Sequence, residues 1–199
     1  MRSLARLAGR FGLLAILGIS LAGCGVNNIP SQEEAAKAKW SQVLNQYQRR
    51  ADLIPNLVET VKGYAKQEAQ VLEAVVAARA RATSVQVPPD ILTNPDAFKK
   101  FQEAQTQLSG SLGRLLAISE NYPDLKSNQN FLALQSQLEG TENRISVARR
   151  DYIEAVQAYN TELKTFPGVI WASTLYKGNK PMETFTIAEE TKRPPQVKF

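Results

Sequence analysis

The sequence predicts an all-α fold: a bundle of four helices, followed by an irregular C-terminal tail. Apolar residues recur at alternating steps of three and four along most of the chain, which places them on one face of a helix. Proline-containing turns at residues 87–89, 122–124 and 167–168 separate these periodic segments. Alternation typical of a strand is confined to a few residues near the C-terminus, so the helical periodicity decides the fold class.

Residues 1–23 have the layout of a secretory signal peptide. Arg2, Arg6 and Arg10 come before or within the start of an apolar region, and residues 11–22 are almost entirely apolar. This stretch is shorter than the ~20 apolar residues that span a bilayer. The sequence therefore predicts a cleaved signal, with an uncleaved anchor beginning at Leu4 as the alternative.

The chain has a single cysteine, Cys24, which closes the tetrapeptide Leu21-Ala22-Gly23-Cys24. This tetrapeptide resembles the bacterial lipobox, which implies that Cys24 is lipidated and that the signal is cut just before it. Several acyl chains form a stable membrane anchor without a transmembrane helix. The expected location is the cell envelope, facing the periplasm. Gly25, in place of aspartate after Cys24, resembles outer-membrane sorting where the host has an outer membrane.

Composition excludes several kinds of site. The chain has no histidine, so the commonest general base and the commonest metal ligand are both missing. Without the three signal arginines, the chain has 21 basic and 19 acidic residues, and no segment is basic enough for a nucleic-acid interface. We expect no catalytic residues, no metal, no cofactor and no nucleic-acid partner. Catalysis by carboxylates alone, as in glycoside hydrolases, stays formally open.

Residues 24–30 are predicted to be a tether and residues 31–168 the helical bundle. Ser31 and Glu34 form a capping box that begins the first helix. Its apolar face keeps one phase through Trp40, Leu44, Tyr47, Ala51, Ile54, Val58, Val61, Ala65, Leu72 and Val75. Pro55 lies beside this face and leaves two interpretations open. Either one long helix is kinked at Pro55, or Asp52 caps a second helix with Pro55 in its first turn.

Two further helices have clear starts. Asn94-Pro95-Asp96 supplies a cap, a first-turn proline and an early acid for one helix, and Ser127 or Asn128 caps the last long helix. The first of these has an apolar face made of Phe98, Phe101, Ala104, Leu108, Leu112 and Leu115. The second runs through Phe131, Leu134, Leu138, Thr141, Ile145, Ala148, Tyr152, Ala155, Tyr159, Leu163 and Phe166. Such narrow apolar stripes are stable only when packed against other helices.

Residues 169–199 are predicted to be a tail of different character. Residues 169–176 form a short apolar segment, and residues 184–187 alternate between threonine and an apolar side chain, which favours an extended strand. The prolines at 194 and 195 disfavour a helix at the chain's end. The tail either lies along the bundle or hangs free.

Seven residues are candidates for a partner-docking patch or an interhelical ion network: Arg49, Arg50, Asp52, Glu120, Asn121, Arg149 and Arg150. The simpler interpretation is a solvated helix face and ordinary turn chemistry, since exposed ion pairs contribute little. Gly110 and Gly113 mark the place where a helix could leave a cavity for a ligand.

Three separated segments are similar to signatures of the LemA family: residues 45–58 with 61–65, residues 120–126, and residues 141–145 with 148–150. The resemblance covers residues 31–168 and implies an all-helical, up-and-down antiparallel bundle with its N-terminus at a membrane. It implies no catalytic residues, because the family has no established activity. Many members carry an N-terminal transmembrane helix, so a lipid on Cys24 would be a variant of the same topology. A TPM-domain membrane protein is the partner class that the resemblance implies.

We therefore expect a membrane-tethered, non-catalytic helical lipoprotein of the bacterial envelope that acts as an interaction or scaffold module. Its expected partners are the membrane, through lipid on Cys24, and another envelope protein. The alternative is a binding protein for an apolar or lipid-like ligand held between the helices.

Overall fold

The computed structural model describes residues 25–186, so the signal segment, Cys24 and residues 187–199 lie outside the described residues. Six α-helices follow one another: α1 (Asn28–Tyr64), α2 (Ala69–Ser84), α3 (Pro95–Ser119), α4 (Pro123–Lys126), α5 (Gln129–Glu162) and α6 (Gly168–Thr174). Single turns of 3-10 helix at Lys66–Glu68 and Ile91–Thr93 join some of them. Helices α1, α2, α3 and α5 form the predicted four-helix bundle, which confirms the fold class.

Contacts between the helices show that their directions alternate. At the start of α1, Asn28 reaches Glu162 near the end of α5, whereas Tyr64 at the end of α1 bonds to Asn128 before α5. These two helices are therefore antiparallel. Helix α3 runs in the same direction as α1, and the shorter α2 runs back beside the second half of α1. None of the helices within residues 25–186 has both the length and the apolar character that a bilayer span requires.

Asparagine side chains begin two of the helices as the sequence predicts. The Asn94 side chain accepts a hydrogen bond from the backbone N–H of Ala97, at 3.2 Å, and Pro95 occupies the first turn of α3. At α5 the open choice of cap is decided, because Asn128 accepts from the N–H of Phe131 at 3.0 Å. Each cap satisfies a first-turn amide that has no partner inside its helix.

The first helix differs from its predicted boundaries. It begins at Asn28 rather than Ser31, and Ser31 is not its cap. Ile29 is buried in the core, and Pro30 is tolerated because first-turn amides need no intrahelical acceptor. The residues that link Cys24 to the helix are therefore only 25–27, not the whole predicted tether.

Helix α1 continues through Pro55, so the alternative of a new helix capped by Asp52 is wrong. The chain instead leaves the helical conformation at Ala65, with φ of −125° and ψ of 56°, and turns back into α2. The prediction of one unbroken face through Leu72 and Val75 missed this reversal. Both helices direct their apolar residues into the same core, so the phase of the stripe did not show where the chain turned.

Further corrections concern the end of the bundle. Helix α5 ends at Glu162, and Phe166, predicted to be its last core residue, is 80% exposed. Residues 168–174 form the helix α6, and the turn after Tyr122 contains the one-turn helix α4. Residues 184–186 form no strand, although Phe185 is buried as the alternation predicts.

The core consists of two hydrophobic clusters. The first core cluster surrounds Trp40, Phe98 and Tyr152 and lies at the end where α1 begins. The second core cluster surrounds Leu57, Leu115 and Phe131 and lies at the opposite end. Because α2 extends only beside the second half of α1, other parts of the chain complete the first cluster.

Residues 179–186 fill this place and lie along the bundle. Met182 and Phe185 are buried in the first core cluster, beside Ile91 and Leu92 of the preceding loop. The Glu183 N–H donates to the Leu92 carbonyl at 2.7 Å. Of the two placements left open for the tail, its described part therefore takes the first.

Candidate functional site

The level between the two core clusters is occupied by Arg50, whose side chain is only 1% exposed. Its Nη1 donates to Ser109 Oγ at 2.6 Å and to Glu142 Oε1 at 2.8 Å. Its Nη2 donates to the side-chain oxygen of Gln105 at 2.7 Å. The guanidinium also lies 5.0 Å from the ring centre of Tyr47, a favourable cation–π distance.

This polar layer connects all four bundle helices. Arg50 belongs to α1, Gln105 and Ser109 to α3, and Glu142 to α5, while Gln105 Nε2 donates to the Ala82 carbonyl of α2 at 3.4 Å. A fixed fork of donors on a delocalised cation suits such a many-sided contact better than a lysine would. The layer therefore fixes the relative height of the helices.

Near this layer, a second arginine compensates for the proline inside α1. Pro55 has no N–H, so the carbonyl of Ala51, four residues earlier, lacks its normal helical donor. The Nε of Arg79, in α2, donates to that carbonyl at 2.8 Å. An interhelical hydrogen bond thus replaces the missing intrahelical one and holds α2 against α1.

The structure separates the seven predicted candidate residues. Arg50 is buried, whereas Arg49 and Asp52 are exposed on α1, and Asp52 accepts from Gln48 at 2.8 Å. Arg150 is exposed on α5, 3.8 Å from Glu154. These surface contacts are screened by water and contribute little.

The other three candidates lie apart from these and from one another. Arg149 is near the middle of α5, and its guanidinium packs on Phe185, 4.3 Å from the ring centre. Glu120 pairs with Lys126 across the turn between α3 and α5, and Asn121 is exposed there. The seven residues do not form one patch.

Sequence reasoning missed the partners of Arg50. Gln105, Ser109 and Glu142 are ordinary polar residues in the printed sequence, and none carries a spacing signal of its own. The available hint was Thr141, a polar residue on the apolar stripe of α5, which is fully buried next to Glu142.

Burial of the tyrosines perturbs their acidity. Tyr47, Tyr152 and Tyr159 are buried, and this burial raises the pKa of each phenol above its usual value. At the far end, Tyr122 donates to Glu68 Oε1 at 2.8 Å, and this bond to a carboxylate raises the pKa of Tyr122.

Several recesses in the described structure have volumes suited to small ligands, and two of the more spacious ones lie beside α1. One, of about 570 Å³, lies between α1, the loop before α3 and residues 178–182, and Trp40, Leu44, Ile91 and Tyr159 are among its lining residues. The other, of about 710 Å³, is a groove on the outside of α1 and α2. Gly110 and Gly113 line neither; both face solvent, and the expectation of a cavity at these glycines is wrong.

Acidic residues do not gather into a site. Within residues 25–186, no group of three or more metal-ligating side chains lies close enough together to hold a metal ion. The carboxylates that make contacts mostly meet lysine or arginine on helix surfaces, such as Glu33 and Glu34 with Lys37. The arrangement as a whole offers recognition surfaces and a buried structural layer.

Comparison with known proteins gives two findings. The sequence model of the LemA family matches residues 39–199. The chain is also similar to three magnetosome proteins: MamQ 1 and MamQ 2 of Paramagnetospirillum magneticum and MamQ of Magnetospirillum gryphiswaldense, each 26% identical over 157 residues. These alignments cover 71% of this chain and 58% of each relative's length.

Proposed function

Because the chain belongs to the LemA family, we propose that it is a membrane-associated, non-catalytic helical protein that acts as an interaction or scaffold module. In the finer form of this proposal, acyl chains on Cys24 hold it in the bacterial cell envelope, facing the periplasm. The outer membrane is the proposed location where the host has one. Family membership and the similarity to the magnetosome proteins support the coarser statement, a membrane-associated protein without catalysis.

The observation that carries the proposal is the distance between Cys24 and the rigid part of the molecule. Helix α1 begins at Asn28, so residues 25–27 alone separate the lipobox cysteine from the bundle. A helix of 37 residues is about 55 Å long at 1.5 Å per residue. A lipid on Cys24 would therefore hold one end of the bundle at the membrane and leave its long helix faces free for partners.

The proposed docking surface consists of the exposed charges of α1 and α5, Arg49, Asp52 and Arg150. Their side chains reach solvent, and their only strong contacts are within their own helices. The proposed partner is another envelope protein, and a TPM-domain membrane protein is the first class to test.

Crosslinking in intact cells tests the interaction. We expect the wild-type protein to capture one partner in nearly equal amount and Cys24→Ala to lose it, because the variant is not held at the membrane. Arg49→Glu with Arg150→Glu should weaken capture, whereas Arg114→Glu, an exposed charge on α3, should not. Equal capture by every variant would contradict the docking surface.

A second candidate function is supported by the recess of about 570 Å³. Its aromatic and aliphatic lining next to polar groups such as Asn179 is typical of a small-molecule site. Native mass spectrometry of the protein extracted from membranes would show a co-purifying apolar ligand. Leu44→Trp, which narrows the recess, should remove that mass, while Val76→Trp in the outer groove should retain it.

A further inference from the structure

The chain after α5 exposes a concentration of large apolar side chains. Phe166 is 80% exposed, Leu175 63%, Ile170 45% and Val169 42%. Elsewhere in residues 25–186, the exposed large apolar residues are widely scattered: Tyr64, Val76, Val87, Leu132 and Val147. A contiguous apolar patch on a protein surface marks a site that contacts another apolar phase.

Helix α6 has apolar residues on two faces. Trp171 and Ala172 pack against the first core cluster, which fixes the helix on the bundle. Val169 and Ile170 point the other way, and the exposed Phe166 lies in the turn just before α6. The outward face therefore has no partner within the described chain, although the inward face is already satisfied.

This apolar face lies beside the entry of the chain from Cys24. A Cβ atom on Gly25 would lie 3.4 Å from Cγ of Pro167, the residue between Phe166 and α6. The Asn28 side chain also donates to Glu162 Oε1, at 3.3 Å, at the end of α5. Gly25, the first described residue and the one that follows Cys24 in the sequence, therefore lies beside the patch.

Exposed lysines flank the patch along the chain, although the Glu162 carboxylate also lies beside Gly168. Residues 163–182 contain Lys164, Lys177 and Lys180, all exposed, and no acidic residue. Basic side chains next to an apolar face are typical of segments that lie in the membrane interface, with the apolar residues inserted among the headgroups.

We propose that this end of the molecule is a lipid-contacting face, in which Phe166, Val169 and Ile170 enter the bilayer interface beside the anchor. The inference rests on the proposed lipid on Cys24, which brings the patch to the membrane. The contact adds a second attachment and sets the tilt of the bundle, because a lipid chain alone leaves the protein free to rotate.

Depth-sensitive fluorescence tests the face on the full-length protein purified from bacterial membranes. The protein is reconstituted into vesicles of phosphatidylethanolamine and phosphatidylglycerol that carry a nitroxide lipid quencher. An environment-sensitive fluorophore is placed at Ile170→Cys or Phe166→Cys. The matched control is Leu132→Cys, which is 47% exposed near the opposite end of the bundle. Intact mass shows separately whether Cys24 is acylated.

If the inference is correct, Cys24 is acylated, and the fluorophores at 166 and 170 are quenched at least about twofold more than the one at 132, as interfacial insertion requires. Equal, weak quenching at all three positions of an acylated protein would overturn the lipid-contacting face and leave the anchor intact. An unmodified Cys24 would overturn the anchor and with it the inference. Shielding of 166 and 170 from aqueous iodide without vesicles would identify a second protein copy as the occupant, which also contradicts the proposal.

Discussion

Arg50 is the largest fully buried side chain of the described structure, and its charge has a single acidic partner, Glu142. Burial of a charge is costly, and the attraction of the partner repays that cost only with good geometry and further hydrogen bonds. Ser109 and Gln105 supply those bonds. A hydrophobic side chain would fill the same space, but it would not fix which residues of α1, α3 and α5 lie at the same level.

Glu142→Gln removes the negative charge and keeps a side-chain oxygen near Arg50. Because Glu142 is itself 43% exposed, water screens its charge, and we expect the substitution to lower the free energy of unfolding by about 1–2 kcal/mol. Urea denaturation measures the change. Glu139→Gln, an exposed substitution on the same helix, should change stability by less than about 0.5 kcal/mol. Equal effects of the two substitutions would show that the charge of Glu142 is irrelevant.

Tyr152 predicts a dependence of stability on alkaline pH. Burial raises the pKa of its phenol well above the usual value of about 10. Above about pH 10 the phenol of the unfolded chain loses its proton, whereas that of the folded protein keeps it. The contribution of Tyr152 to the free energy of unfolding is therefore fully present below about pH 10 and declines as the pH rises further. Tyr152→Phe should lower stability at neutral pH by about 1 kcal/mol, through loss of the bond to the Glu183 carbonyl.

The measurement that tests the raised pKa of Tyr152 is the slope of the unfolding free energy against pH. Between about pH 10 and 11 the unfolding free energy of Tyr152→Phe should decline less steeply than that of the wild type, since one phenol no longer titrates. Parallel curves would show that Tyr152 is not perturbed.

At the scale of helices, Pro55 in α1 and Arg79 in α2 are coupled, because Arg79 supplies the hydrogen bond that Pro55 cannot make. Arg79→Met should destabilise the protein by about 1.5–3 kcal/mol, because it leaves the Ala51 carbonyl without a donor. With Pro55→Ala the backbone N–H returns, and the same Arg79→Met should then cost much less. A double-mutant cycle measures this non-additivity. Arg81→Met, exposed on the same helix, should be neutral in both backgrounds.

Gly168 holds the start of α6 against the end of α5. A Cβ atom there would lie 2.1 Å from the backbone oxygen of Glu162, so Gly168→Ala requires a shift of the backbone. We expect it to lower the thermal midpoint by several degrees. Gly110→Ala is the matched control, because its Cβ would meet no atom within 4 Å. That substitution should stabilise α3 by about 0.5–1 kcal/mol. If both substitutions changed the stability in the same direction, this account would be wrong.

Sequence reasoning succeeded where the signal was local. The apolar face and the cap of α3 were predicted residue by residue, because helical spacing and the Asn94 cap are properties of one segment. The turn at Ala65 and the exposure of Phe166 were not predicted, because each depends on how the segment packs against other parts of the chain. The partners of Arg50 were missed for the same reason. Helical periodicity shows which residues share a face of one helix, but it does not show which residues of neighbouring helices are aligned along the bundle axis.

At the scale of the whole molecule, a non-helical segment completes a helical core. The Asn160 side chain donates to the Met182 carbonyl at 2.9 Å and accepts from the Met182 N–H at 2.8 Å. The Gln102 side chain donates to the Thr186 carbonyl, and Tyr159 donates to that of Lys180. Side chains of α3 and α5 thus hold residues 180–186 by their backbone, in addition to the burial of Met182 and Phe185 in the first core cluster.

Asn160→Ala should release this segment without unfolding the bundle. We expect the amide of Met182 to exchange with solvent at least about tenfold faster, since its acceptor is lost. The amides in the middle of α1 should exchange at the wild-type rate. Asn143→Ala, an exposed asparagine of α5, is the control and should change neither rate. Unchanged exchange at Met182 would show that other contacts suffice to hold the segment.

The burial of Phe185 against Trp40, with ring centres 6.0 Å apart, has a consequence for the order of assembly. These two rings are separated by most of the chain, and contacts between distant residues form slowly because a long loop must close first. Helices α2 and α3, which are neighbours in sequence, can pair early and build the second core cluster. The first core cluster is complete only when residues 182–185 have packed into it. The end of the bundle at which α1 begins should therefore be the last part of the described structure to reach its native packing.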